Sequence, residues 1–211
     1  RGFNLLNFCQ KWSDKKPRED DFKWMRDWGF DFVRLPMAYP SYLDFDRSRD
    51  ITPEEVYNIN EEALERVDQL VYLAHKYNLH VSINLHRAPG YCINAGFHEP
   101  YNLWKDKEAQ DAFYWHWKMW AIRYKNISRD KISFDLLNEP AMIEDMNNQH
   151  SEKTKIPGEI YAKVAREAAR VIWEQNPEHL VIADGNEVGS KVIPEISHLP
   201  IAQSCRGYYP G

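Results

Sequence analysis

Phe134-Asp135-Leu136-Leu137-Asn138-Glu139-Pro140 is an apolar run that ends on an amide, a carboxyl and a proline. The run predicts a buried strand over Lys131–Leu137, with Asn138 and Glu139 delivered to its C-terminal tip and Pro140 ending the ladder. A carboxyl placed there is partly withdrawn from water, which favours its neutral form and suits it to protonate a departing oxygen. The neighbouring amide of Asn138 could hydrogen-bond a hydroxyl beside the bond being broken. A strand-ending turn carrying a surface Glu would give the same heptapeptide, so the surrounding pattern has to decide.

Outward from this stretch the hydrophobic period alternates between strand-like and helical. Gly2–Leu6, Phe32–Leu35, His80–Leu85, Leu180–Ala183 and Ile201–Ser204 read as further strands. Between them, helices are predicted from Pro17 to Trp28, Asn60 to Tyr77, Asp106 to Tyr124 and Gly158 to Gln175, with a short one over Val192–His198. Leu64, Val67, Val71 and Ala74 form the inward stripe of the second helix, and Gly29 and Asn78 supply helix stops. Pro36 is expected to close the second strand. Strands alternating with helices imply right-handed βαβ units and a parallel sheet. The segments after strands are long (Met37–Asn58, His86–Lys105, Pro140–Pro157), whereas those after helices are short. Function in such folds sits at the C-terminal strand ends, where those long loops lie.

Composition narrows the classes. The 211 residues carry 27 Lys+Arg against 32 Asp+Glu, a net charge of −5, so there is no basic excess for a nucleic-acid partner. No apolar run approaches the roughly 18 residues of a membrane span. Neither GxGxxG nor GxxxxGK[ST] occurs, which removes dinucleotide and P-loop cofactor readings. Aromatics make up 14% of the chain, Trp 8 residues of it, a supply suited to flat sugar rings. Cys9, Cys92 and Cys205 are too widely spaced for a metal knot or disulfide frame and read as three reduced, mostly buried thiols, with one disulfide and a spare thiol as the alternative. His80, His86 and His98 lack ligand spacing, so no metal or other cofactor is expected. His75, His116, His150, His179 and His198 read as surface or helix-end residues. The Trp115, Trp117, Trp120 cluster reads as helix packing, and Trp104 as the better candidate for a sugar platform, with burial the alternative.

Six ordered motifs carry a resemblance. They are Arg1-Gly2-Phe3-Asn4-Leu5, Val33-Arg34-Leu35-Pro36, Asn84-Leu85-His86-Arg87-Ala88-Pro89-Gly90, Leu137-Asn138-Glu139-Pro140, Asp184-Gly185-Asn186 and Arg206-Gly207-Tyr208-Tyr209-Pro210. Each ends one of the six expected strands, and in this order they resemble glycoside hydrolase family 5, the cellulase-type retaining glycosidases.

The resemblance implies an α/β fold, the (β/α)8 TIM barrel. Six βα units do not close a barrel of about 250 residues, so residues 1–211 are expected to be one catalytic domain, C-terminally incomplete. It also implies Glu139 as catalytic acid/base and Asn138 as the contact to the sugar 2-hydroxyl. Arg34 would sit beside the nucleophile, His86 would line the sugar site, and Tyr208 would position the nucleophile. The family commonly has His two positions before that tyrosine, where Arg206 stands here. Its nucleophile Glu follows a seventh strand, so that residue is expected beyond Gly211. Glu99 and Glu187 read as rim or loop carboxylates rather than substitutes. The implied partner is a carbohydrate, a polymer or oligomer of β-linked hexoses, acted on by a monomer in a secreted or extracytoplasmic setting. A non-catalytic carbohydrate-binding relative lacking the nucleophile is the other reading.

Overall fold

A computed structural model of the chain describes residues 1–10, 15–94, 98–145, 148 and 150–207. Six strands form one parallel sheet in the order β1 (Gly2–Asn4), β2 (Phe32–Ala38), β3 (His80–Ala88), β5 (Ile132–Asp135), β8 (Leu180–Asp184) and β9 (Ile201–Ser204). A two-residue strand β4 (Tyr91–Cys92) folds back antiparallel on β3. Two more short strands, β6 (Met142–Ile143) and β7 (Lys153–Thr154), pair within the loop after β5. The helices between the main strands are α1 (Glu19–Asp27), α2 (Glu61–Lys76), α3 (Lys107–Arg123) and α4 (Gly158–Trp173).

The helices form where the sequence provides caps and stripes. In α2 the Asn60 side chain accepts the Ala63 N–H at 2.8 Å, Glu61 and Glu62 occupy the first turn, and His75 and Lys76 the last. Leu64, Val67, Val71 and Ala74 are buried, as the stripe requires. Asn78, at φ 58°, takes the left-handed position after the C-cap Tyr77. In α3 Phe113, Trp117 and Trp120 are buried and Tyr124 follows them inward, so this aromatic row is packing.

The structure departs from expectation in several places, and the first and fourth main strands end early, at Asn4 and Asp135. β2 continues through Pro36 to Ala38. The Arg34 carbonyl receives Leu5 N–H and the Ala38 N–H reaches Phe8, so the backbone of Pro36 faces the side where β1 has already ended. No ladder donor is needed there, and proline is tolerated. β3 runs three residues beyond Leu85, which puts His86 inside a strand rather than in a loop. In place of a helix over Val192–His198 there is only a 3₁₀ turn, Pro194–Ile196.

Register sorts the side chains into two faces. Val33, Leu35, Val81, Ile83, Phe134 and Val181 share the face covered by helices, all of them buried. Arg34, Ser82, Asn84, Asp135 and Asp184 share the other. That concave face is polar, and its polar groups gather at the C-terminal ends of the strands.

Candidate active site

Glu139 follows β5 by four residues and holds a left-handed backbone, φ 49°. An L-residue with a Cβ pays for that conformation, so surrounding contacts must fix it. Five contacts do so. The Glu139 N–H donates to Asp184 Oδ2 at 3.0 Å, and its carbonyl accepts the Tyr91 hydroxyl at 2.7 Å. That same hydroxyl accepts the Ala141 N–H at 2.9 Å. Upstream, Asn138 N–H donates to the Leu85 carbonyl at 3.1 Å; downstream, the Pro140 carbonyl accepts Val188 N–H at 3.1 Å.

The buttresses are themselves buried. Asp184 is 0% exposed, and its carbonyl accepts the Tyr161 hydroxyl at 2.7 Å. Burial pushes the Tyr91 and Tyr161 phenols well above their ordinary range, so both remain O–H donors. Trp104 does not face the cleft, contrary to its expected role as a sugar platform. It is 5% exposed, stacked on Tyr161 at 5.9 Å and edge-on to Tyr91 at 5.5 Å. The reason is the loop path: Leu103 N–H bonds the Gly90 carbonyl, which folds Leu103 and Trp104 inward against both tyrosines.

Around Glu139 opens a cleft of about 230 Å³ lined by Arg34, His86, Asn138, Glu139 and Arg206, with Asn4 from β1. Arg34 Nε donates to Asp135 Oδ2 at 2.7 Å and its Nη2 to Asn138 Oδ1 at 3.1 Å. Arg206 Nη2 donates to the same Asn138 oxygen at 3.0 Å and to Asp184 Oδ2. Arg206 Nε lies 3.5 Å from Glu139 Oε1. Four of the residues expected from sequence, Arg34, His86, Asn138 and Glu139, therefore meet in one cleft. Tyr208 lies outside the described residues.

Two carboxylates carry no role by sequence alone. Asp135 reads as one polar interruption in an apolar strand, and Asp184 as part of a motif without a role. The signal was their period: both sit on the concave face by register with Arg34. Burial, with Asp184 beside it, pushes the Asp135 carboxyl up to about 6 in spite of Arg34. Burial and the guanidiniums of Arg34, Arg87 and Arg206 hold His86 down to about 4, leaving a neutral ring at ordinary pH.

Other expectations resolve plainly. Glu99 ties the loop after β3, its carboxylate accepting the Tyr39 hydroxyl at 2.8 Å and Gly90 N–H at 3.0 Å. Glu187 sits in a tight left-handed turn, φ 51°. His116 and His179 are buried, not surface residues. The His116 ring is held between the Tyr42 hydroxyl at 3.1 Å and the Val56 carbonyl at 3.0 Å, which satisfies both nitrogens. Cys9, Cys92 and Cys205 are free thiols, of which only Cys92 is buried, because Cys9 and Cys205 lie in connecting segments rather than in the packed sheet. Among the described residues no group of His, Cys, Asp and Glu could hold a metal ion, and no helix is long and apolar enough to cross a membrane. A larger groove, about 520 Å³, lies on the outer side between α2 and α3. Its Arg123 is already paired with Asp68 and Glu61 in a structural ion pair, so the strand-end cleft is the better seat for chemistry.

Comparison with known proteins agrees with this geometry. Among solved structures, a crystal structure of a glycoside hydrolase superposes with a TM-score of 0.85 at 32% identity, over 99% of this chain and 59% of that one. Cel5A from Thermotoga maritima in complex with cellobiose superposes at 0.65 and 23% identity, a likeness of fold. The sheet is accordingly part of a (β/α)8 barrel. Cellodextrinase A of Ruminococcus flavefaciens is 36% identical over 145 residues, covering 66% of this chain and 40% of that protein. Endoglucanase C of Acetivibrio thermocellus is 30% identical over 166 residues, 79% of this chain and 43% of that protein. The chain thus spans about two-fifths of the length of the curated relatives it matches. The family description Cellulase (glycosyl hydrolase family 5) matches residues 1–205, and the chain belongs to that family.

Proposed function

We propose that these residues supply the acid/base half of the centre of a retaining glycosidase acting on β-linked glucans or related hexose oligomers. Family membership supports a glycosidase, and the cellodextrinase and endoglucanase relatives favour a β-glucan. The observation that carries the reading is the pinned left-handed turn that holds Glu139 over the cleft.

Retention runs in two steps. In the first, the Glu139 carboxyl gives its proton to the glycosidic oxygen while a carboxylate nucleophile bonds to the anomeric carbon. The leaving sugar departs as an alcohol, and a glycosyl ester remains. In the second, the Glu139 carboxylate takes a proton from water as that water attacks the anomeric carbon, and the nucleophile carboxylate is released. Asn138 donates to the 2-hydroxyl, and neutral His86 exchanges hydrogen bonds with sugar hydroxyls. The nucleophile, on this reading, comes from sequence beyond Gly211, since the described carboxylates near Glu139 are committed elsewhere: Asp184 to its backbone and Arg206, Asp135 to Arg34. On the same reading the chain belongs to a single catalytic domain, monomeric and acting outside the cytoplasm.

The test is hydrolysis of aryl β-cellobiosides by the chain continued through the rest of its barrel. Replacing Glu139 by Gln is expected to lower kcat by about 10²- to 10⁴-fold, and a variant as active as the wild type ends the acid/base reading. Residues 1–211 by themselves are expected to bind cello-oligosaccharides weakly and hydrolyse nothing. If the continued chain also binds without turnover, it is the carbohydrate-binding relative instead.

A further inference from the structure

Arg206 stands where the family's pattern has His, and the structure gives it a built seat. Its backbone N–H donates to the Gly189 carbonyl at 2.8 Å. Gly189 holds φ +80°, and a Cβ there would come within 2.5 Å of the Arg206 Cγ, so the absent side chain is what admits the arginine stem. The guanidinium then reaches three groups of the cleft: Asp184, which is fully buried, the Asn138 oxygen at 3.0 Å, and the Glu139 carboxylate at 3.5 Å.

The second of these contacts settles the amide's orientation. A guanidinium carries donors and no acceptor. Arg34 and Arg206 both approach Asn138 from one side, so the atom facing them must be its oxygen, and both of that oxygen's lone pairs are engaged. The Asn138 NH2 is thereby turned away from both arginines, ready to donate to a substrate hydroxyl. With one arginine removed, this constraint loosens, and the Glu139 carboxylate loses a tether.

We propose that Arg206 is a positioning residue for the reaction set out above: anchored on Asp184 and seated against Gly189, it holds the Asn138 amide donor-outward and aims the Glu139 carboxyl. The inference rests on that functional reading and deepens it. Aim matters most where the departing oxygen needs its proton, so the role has its own signature.

The experiment compares two aryl β-cellobiosides on the continued chain, one with a dinitrophenolate leaving group and one with unsubstituted phenolate. Misplacing a catalytic group by about 1 Å costs about a hundredfold. Arg206→Ala is therefore expected to lower kcat on the phenyl substrate by about a hundredfold, and by about tenfold less on the dinitrophenyl one. Arg206→Lys, which keeps the charge but not the fork, is expected to recover part of the loss. Equal loss on both substrates, or no loss, overturns the proposal.

Removing the arginine leaves Asp184 buried without its cation, so two further variants guard against simple unfolding. Gly189→Ala displaces the stem while keeping the charge, and Arg206→Ala combined with Asp184→Asn removes both charges; each is expected to show the same leaving-group bias. In the continued chain, the Asn138 side-chain amide resonances are expected to shift in Arg206→Ala, and an unmoved pair refutes the amide constraint. The outcomes separate cleanly. An active Glu139→Gln enzyme defeats the acid/base reading, whereas an inactive one alongside an unbiased Arg206→Ala enzyme defeats only the positioning role.

Discussion

His86 shows how a single side chain takes its chemistry from its neighbours. Burial and three guanidiniums hold its pKa down to about 4, against about 6.5 in an unfolded chain. Between those values the unfolded chain binds a proton that the native protein refuses, so this contribution to stability is present above pH 6.5 and lost as pH falls towards 4. Asp135 works in the opposite sense. Its carboxyl, pushed up to about 6, holds a proton in the native state that an unfolded Asp has released, so its contribution to stability grows as pH falls through 6. The two must be separated by mutation. Urea unfolding of the wild type is expected to lose about 3 kcal/mol more than His86→Gln between pH 7 and pH 4. Parallel losses in the two proteins would show that the fold does not hold the ring unprotonated.

At the scale of elements, the hairpin of β3 and β4 does more than cover the sheet. It carries Tyr91, whose hydroxyl bridges the Glu139 carbonyl and the Ala141 N–H. Gly90 makes the turn at φ +77°, and a Cβ there would sit 2.6 Å from the Leu103 nitrogen and 2.8 Å from the Ala109 Cβ. Gly29, after α1, has the same φ of +77° but nothing within 4 Å of an added Cβ. The pair separates backbone strain from crowding. Gly29→Ala is expected to cost about 1 kcal/mol, and Gly90→Ala distinctly more, because the backbone of the following loop must also move. Urea midpoints of the two variants measure the difference; equal costs would mean that the loop yields freely.

For the whole molecule, the open sheet dominates. β1 pairs only with β2 and β9 only with β8, so both outer edges lack a neighbour among the described strands. Beside β1, Phe3 and Trp28 are 48% and 64% exposed and meet edge-to-face with Phe30. By register Phe3 shares the face of Val33, the side that helices cover elsewhere. An unpaired edge flanked by exposed aromatics invites self-association. Residues 1–211 alone are expected to associate with rising concentration, and Phe3→Lys to reduce it, as followed by light scattering. A monodisperse wild type at high concentration would contradict this. In the continued chain, where a further strand can pair with β1, the same association is expected to vanish.

The βα alternation, the helix stops at Gly29 and Asn78, and the place of Glu139 at a strand tip are all legible in the sequence, because each depends on local period and local chemistry. The burial of Trp104 and His116 and the edge position of Pro36 belong to the assembled sheet and carry no local signal. Asp135 and Asp184 lie 49 residues apart in the chain, and nothing local joins either to Arg34 or Arg206. Strand register brings these charges onto one concave face, and withdrawal from water there makes their pairing matter. Residue type and spacing announced the carboxyl; only folding supplied the two arginines, the buried aspartates and the tyrosines that hold it in place.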